Sequence, residues 1–414
     1  MDRLVTTVRP YAWGSTTALP RLTGTPPDGT PQAELWMGAH PAAPSQVRRG
    51  SGLRPLDAVI ADDPAGELGE AALRRFGPRL PFLLKLLAAD APLSLQVHPD
   101  LAQAAAGFRA ENSEGTPLDA PHRNYRDDNH KPEMLVALTP FDGLCGFRPP
   151  ARCADLLDTL DVPGLAPYTT LLRQDAEESA LRQAFSACLA APGELVAAVA
   201  AAVAGKAAED GPHRQTFTAY HAVAEAYPGD PGLLAALMLN LVRLEPGEGL
   251  FLGAGVPHAY LHGLGVEVMA ASDNVLRCGL TSKHVDTGEL LRVVRFVPAP
   301  VRILRPSADE GEGAYPAPVD DFRLSRIRPR EGAPVRLEAT APQILVCTRG
   351  EIRLEGPAGT LALGPGASAY VPAGEHVTAD GDGEAYRATA GTGAEGAGTS
   401  SPAPAPASAS VPAR

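Results

Sequence analysis

Lysine is nearly absent from this chain. Only Lys85, Lys131, Lys206 and Lys283 occur, and arginine supplies the other 32 of the 36 basic residues. An ammonium can give up its proton and a guanidinium effectively cannot, so a lysine kept where arginine is strongly preferred is a candidate for proton chemistry. Lys206, in an alanine-rich stretch, reads instead as an ordinary surface residue. Basic residues as a whole are in deficit, 36 against 48 acidic for a net charge of -12, which excludes the basic footprint that nucleic-acid backbones or anionic membranes require. Any anionic ligand must find a local cluster. Cysteine is scarce too: Cys145, Cys153, Cys188, Cys278 and Cys347 are odd in number and include no CxxC. That argues against a disulfide framework and a thiolate zinc site, and leaves them as small buried residues. No apolar tract comes near the ~20 residues of a membrane span, the longest being the alanine-rich 195–205. Residues 1–14 carry Asp2, Arg3 and Arg9 and lack an apolar core, so no secretory leader is expected and the expected location is the cytoplasm.

What is present has three textures. The chain has 414 residues, and at roughly 150 residues per domain about two or three cores are expected. Residues 1–150 alternate short apolar runs with prolines such as Pro41, Pro81, Pro99 and Pro140, a β-rich pattern interrupted by helices over 66–76 and 101–110. Residues 151–244 read as an α-helical insert, with helical spacing over 175–204 and 232–244 and breakers at Pro192 and Pro228. Strand-like runs return at 249–252, 265–269, 344–347, 352–354 and 369–371. Pro246-Gly247 leads through an apolar strand to a Gly/Pro turn and His258, and Pro365-Gly366 leads in the same way to His376. Such units are typical of jelly-roll barrels. The expected fold is mainly β with an α insert: one barrel from 1–150 with 245–305, the insert 151–244, a second, degenerate barrel over 306–390, and a disordered Gly/Ser/Ala/Pro tail over 391–414.

Four segments could carry chemistry. In Pro92-Leu93-Ser94-Leu95-Gln96-Val97-His98 strict alternation puts the apolar residues on one face and Ser94, Gln96 and His98 on the other. The plain reading is a half-exposed strand; the sharper one is a barrel lumen that offers Gln96 and His98 to a cation. In His130-Lys131-Pro132-Glu133, the carboxylate of Glu133 opens an apolar strand and needs a partner if it is buried. Gly253-Ala254-Gly255-Val256-Pro257-His258-Ala259-Tyr260 presents His258 and Tyr260 on one face after a turn. Gln96, His98, Glu133 and His258 form an oxygen and nitrogen set suited to Zn²⁺ with a position left open. The stretch from Glu267 to Lys283 spreads Asp273, Arg277 and Lys283 through small, apolar residues, and its cations could hold a phosphate.

Together, Tyr11-Ala12-Trp13-Gly14, Ala33-Glu34-Leu35-Trp36-Met37-Gly38-Ala39-His40-Pro41, Gln96-Val97-His98-Pro99, Asn129-His130-Lys131-Pro132-Glu133 and Ser272-Asp273-Asn274-Val275-Leu276-Arg277 resemble the type I phosphomannose isomerases over about residues 5–300. The resemblance implies two cupin-type barrels, the first of them catalytic, one Zn²⁺ on Gln96, His98, Glu133 and His258, and interconversion of D-mannose 6-phosphate and D-fructose 6-phosphate. It places Lys131, Asp273 and Arg277 at catalytic or substrate-contacting positions, with Ser94, Tyr260, Glu267, Lys283, Trp13 and Glu34 about the substrate. His376 has no evident partner ligands, so no metal is expected in the second barrel. Such a reaction moves a proton between C2 and C1 through a cis-enediol. Lys131 is one candidate base, zinc-bound hydroxide and Glu267 are others, and Asp273 with Arg277 could assist ring opening. The expected partner is a small-molecule sugar phosphate, with no nucleic acid or membrane, and the expected state is a monomer. Two other readings stand beside this one. An Fe(II) dioxygenase of the same fold could use His98, His258 and Glu133, and a non-catalytic cupin could bind sugar phosphates without turnover.

Overall fold

The computed structural model describes residues 1–391 apart from 51, 175, 299 and 331, so all of the expected tail beyond Gly391 lies outside the described residues. Its centre is the strand Phe82–Ala89, buried along its whole length between Glu34–Met37 and His258–Ala270. A continuous apolar run is what a strand covered on both faces requires. Phe82, Leu84, Leu86 and Ala88 face one core, while Leu87 and Ala89 join another with Leu135, Phe141 and Tyr260, and Lys85 shares that second face. The sheet runs Leu239–Leu244, Phe141–Phe147, His258–Ala270, Phe82–Ala89, Glu34–Met37, Thr7–Arg9. Glu133–Ala137 pairs with the far half of His258–Ala270 and with Gly249–Leu252, and the short Gln96–Val97 pairs with His258–Ala270 and Leu276–Arg277.

The thirteen-residue strand His258–Ala270 changes face midway. Its pairing with Phe141–Phe147 shifts register between Tyr260 and His262, and a bulge of one residue inverts the inward and outward alternation beyond it. Even-numbered His258 and Tyr260 and odd-numbered Glu267 thereby meet on one side, where the Tyr260 hydroxyl donates to Glu267. Gly263, with φ +130°, permits the distortion: a Cβ there would lie 2.6 Å from the Phe141 ring and 2.8 Å from the Pro140 oxygen.

The helical insert packs Pro150–Asp158, Ala166–Leu172, Glu177–Leu189, Gly193–Ala208, Arg214–Ala226 and Gly232–Leu237 around one core with Phe147 and Phe296. Among the described residues no single helix is long and apolar enough to cross a membrane; Glu177–Leu189 and Gly193–Ala208 meet at 102°. The helix expected over 232–244 ends at Leu237, and Leu239–Leu244 is a strand on Phe141–Phe147. There the period is two: Val242 and Leu244 are buried, and exposed Arg243 pairs with Asp142 at 3.0 Å. The helix expected over 66–76 is split by Gly69, at φ +76°, into Pro64–Leu68 and Glu70–Phe76. The one expected over 101–110 runs Leu101–Ser113 behind a capping box of Asp100 and Gln103.

The second barrel stacks a six-stranded sheet on the four-stranded sheet Val335–Leu337, Val377–Asp380, Ile352–Gly356, Gly359–Leu363. Asp2–Arg3, at the start of the chain, forms an edge of that six-stranded sheet by pairing with Ser368–Val371. The two barrels share a core in which Met134, Val136, Val266 and Val268 meet Phe322, Leu324, Ile344 and Tyr370. Phe322 is fully buried in it. Phe322→Ala should therefore cost about 3–5 kcal/mol, the range for truncating a buried phenylalanine. Urea unfolding measures this, and a loss under about 1 kcal/mol, below that range, would mean that the inter-barrel core repacks freely.

Candidate metal centre

Strand register brings the ligand candidates together. Gln96 sits opposite both His258 and Arg277, and Glu133 starts the neighbouring strand opposite Leu252 and Met269. His98, Glu133 and His258, all buried, place one ligand atom each within 4.8 Å of the others. His98 Nε2 is 3.3 Å from Glu133 Oε1, and His258 Nε2 is 3.6 Å from Oε2. Each imidazole is held from behind: His98 Nδ1 lies 2.8 Å from the Asn274 carbonyl and His258 Nδ1 lies 2.9 Å from the Val256 carbonyl. A carbonyl can only accept, so both Nδ1 atoms carry hydrogen and both Nε2 lone pairs face Glu133. His98 Nε2 is buried without a hydrogen-bond partner. Burial pulls the His98 imidazole down to about 4, against the attraction of Glu133, which keeps it neutral at physiological pH. Burial would raise Glu133, but Lys131 holds it well below the usual carboxylate range. The Gln96 amide donates to Ser94 Oγ at 3.0 Å, and its Oε1 has no donor among the described residues. Two imidazole nitrogens, a carboxylate and an amide oxygen fit Zn²⁺.

A second buried cluster adjoins the first. Lys85 Nζ stands 3.0 Å from Glu267 Oε2 and 3.4 Å from Glu34 Oε1. Tyr260 donates to Glu267 at 2.8 Å and Trp36 donates to Glu34 at 2.7 Å. Burial would depress Lys85, yet Glu267, Glu34 and Glu133 hold it above its usual value, so it stays an ammonium. Burial, with Glu133 and Glu34 nearby, raises Glu267 despite Lys85. Lys131 Nζ is 3.1 Å from Glu133 Oε1 and is itself buried. Trp13 packs against the cluster containing Tyr260. Lys85 was not among the expected site residues. The scarcity of lysine pointed to it, but its apolar strand gave no sign of a charged lumen.

The loop after His258–Ala270 is fastened by Asp127 and Asn274. Asp127 accepts from Ser272 Oγ at 2.8 Å and from the Asp273 amide at 2.7 Å, while Asn274 Nδ2 donates to the Asn129 carbonyl at 2.8 Å. The loop that carries Asp273 and Arg277 thus also orients His98 through the Asn274 carbonyl. Asp273, half exposed, lies 3.3 Å from His40 Nε2, and that imidazole keeps its carboxylate below the ordinary value. Arg277 is lowered by burial and by Arg126, and Lys283 by burial, Arg277 and Arg126. None of these three cations has a carboxylate within ion-pair distance among the described residues. Clustered cations without carboxylate partners among the described residues favour a negative charge beside them, on a chain of net charge -12. His40 and Arg126 were missed because only the folded loop brings them to Asp273 and Arg277. A cavity of about 370 Å³ shares His40, Arg126 and Asp273 with this loop but is lined by none of the metal-ligand candidates. His376 is exposed.

Two jelly-roll barrels, the first built around a His/Glu/His centre, define a metal-binding cupin. Residues 1–150 match the family model for the phosphomannose isomerase type I catalytic domain. The chain is 41% identical to the mannose-6-phosphate isomerase of Escherichia coli over 94% of its own length and 99% of that protein, and 34% identical to the Bos taurus enzyme over 88% and 89%. It superposes on a mutant phosphomannose isomerase from Salmonella typhimurium with a TM-score of 0.86 at 39% identity, covering 94% of this chain and 99% of that one. A zinc-bound mannose 6-phosphate isomerase gives 0.85 with the same identity and coverage. The chain belongs to the type I phosphomannose isomerase family.

Zinc analysis of the purified protein should find one Zn²⁺ per chain, and His258→Ala should lose both the metal and the activity, since three remaining donors compete poorly with solvent. Full activity in a metal-free preparation would contradict this assignment.

Proposed function

We propose that this chain is a zinc-dependent aldose-ketose isomerase that interconverts D-mannose 6-phosphate and D-fructose 6-phosphate through a cis-enediol, acting as a cytoplasmic monomer. The observation that carries the reading is the unpartnered His98 Nε2 facing Glu133 and His258, with buried Lys131 at one side and the unpaired cations of the 277–283 loop beside it. Catalysis lies in the barrel of 1–150 with 245–305.

Gln96, His98, Glu133 and His258 would hold Zn²⁺, which when bound supplies Lewis-acid polarisation of the sugar oxygens. Arg277 and Lys283, with Arg126, bind the phosphate. Asp273, kept ionised by His40, relays the anomeric hydroxyl proton as the ring opens. Lys131, buried beside Glu133, takes the C2 proton of the open-chain aldose and returns it to C1, while the O2 hydroxyl proton passes to O1. Glu267 is the weaker base candidate because one oxygen is held by Lys85 and the other by Tyr260. Ser94, Trp13, Tyr260 and Glu34 are assigned to contacts about the substrate. A dioxygenase has no use for this cation cluster or for a lysine at the metal.

Lys131→Arg should keep fold and zinc while kcat falls about 10²- to 10⁴-fold, the span of a general base, with KM changing far less. Steady-state kinetics decide it, and retention of more than about a tenth of kcat would reduce Lys131 to a binding role.

Arg277→Ala should cut kcat/KM on mannose 6-phosphate by about one to two decades, the worth of a charge-assisted contact, with a much smaller loss on mannose. Equal losses on both sugars would assign Arg277 to chemistry or folding instead.

A further inference from the structure

Residues 129–133, which carry Lys131 and Glu133, are fastened from two directions. Within the first barrel the Asn129 carbonyl accepts from Asn274 Nδ2, and the Pro132 carbonyl accepts from the Ala270 amide at 3.0 Å. Between those two points the side chain of His130 turns the other way, and its Nε2 lies 3.0 Å from Asp321 Oδ2. Asp321 belongs to the second barrel, in the turn before the strand Arg323–Arg328, directly ahead of Phe322 in the core shared by the barrels. It is 7% exposed, and among the described residues His130 is its sole ion-pair partner. A carboxylate buried to that degree is costly without a donor, so the contact is a fixed one. A second observation points the same way: Met134 and Val136, alternating with Glu133 on its strand, pack in that shared core with Phe322 and Leu324.

We propose that Asp321 is a positioning residue for the isomerase centre: through His130 it fixes the backbone from which Lys131 projects. The second barrel holds none of the metal-ligand candidates, and on this account it acts by keeping the base in register with them. A lysine side chain has four rotatable bonds, so the aim of its amine depends on how firmly its Cα is held, and misplacement by about 1 Å can cost a hundredfold in rate. The inference rests on the reading of Lys131 as the base.

The test is steady-state kinetics on the full chain with its zinc, using Asp321→Ala, Asp321→Asn, His130→Ala and Lys131→Arg, with zinc content and melting temperature measured on each. Asp321→Ala should lower kcat about ten- to a hundredfold with KM within about twofold and zinc retained. His130→Ala removes the same contact from the other barrel and should do likewise. Asp321→Asn keeps an acceptor oxygen and should restore part of the lost turnover. Combined with Lys131→Arg, Asp321→Ala should cost nothing more, because both act on one step. Wild-type kcat in Asp321→Ala overturns the proposal, as does an additive loss in the Lys131→Arg background, or a fall in kcat that tracks lost zinc or melting temperature. If Lys131→Arg itself keeps its kcat, it is the reading of the base that has failed. If Lys131→Arg fails to turn over and Asp321→Ala does not, the base stands and the positioning role falls.

Discussion

The desolvated carboxylate of Glu133 sets the terms for everything around it. Its residue is 5% exposed, and a charge taken that far out of water must be matched by close donors or cations. Lys131 supplies one such cation at 3.1 Å, whereas the imidazoles of His98 and His258 turn lone pairs rather than donors toward the carboxylate from 3.3 and 3.6 Å. The same arrangement suits a divalent cation, because both imidazoles are held by carbonyls at Nδ1 and their free nitrogens face the carboxylate. Metal affinity and chain folding therefore draw on one set of contacts, and the loop 272–277 takes part in both by supplying the carbonyl that orients His98.

Behind this centre stands a second buried ionic group of Lys85, Glu34 and Glu267, tied off by Tyr260 and Trp36. Two carboxylates share one ammonium, and the remaining acceptor capacity is met by a phenol and an indole, so each charge has a partner at hydrogen-bond distance. Removing one member would strand another in a dry barrel. The network also holds Tyr260 and Glu267 in place despite the reversal of face between them.

The division of labour between the barrels follows from the alternation of their strands. In Glu133–Ala137 and Phe82–Ala89 one face serves the first barrel's own interior and the other serves the core shared with the second barrel. A strand fixed on both faces has little freedom to slide, since a slip of one residue would exchange its two faces. The register of the metal-ligand candidates thus depends on apolar packing outside the first barrel as well as on hydrogen bonds within it.

Local pattern by itself determined which residue types lie where. The alternation of Ser94, Gln96 and His98, the carboxylate heading an apolar strand at Glu133, the turn before His258 and the cations at 277 and 283 were all legible, because each is a short-range regularity of the chain. So were the helical insert and the two β-rich parts. Tertiary structure alone decided what depends on residues far apart. Lys85 reaches Glu34 and Glu267 across 51 and 182 positions, His40 reaches Asp273, and His130 reaches Asp321 in the other barrel. Leu239–Leu244 became a strand rather than the end of a helix because Phe141–Phe147 was there to pair with it. An apolar run carries no record of its partner, and the pairing energy that settles its conformation exists only once the partner is in place.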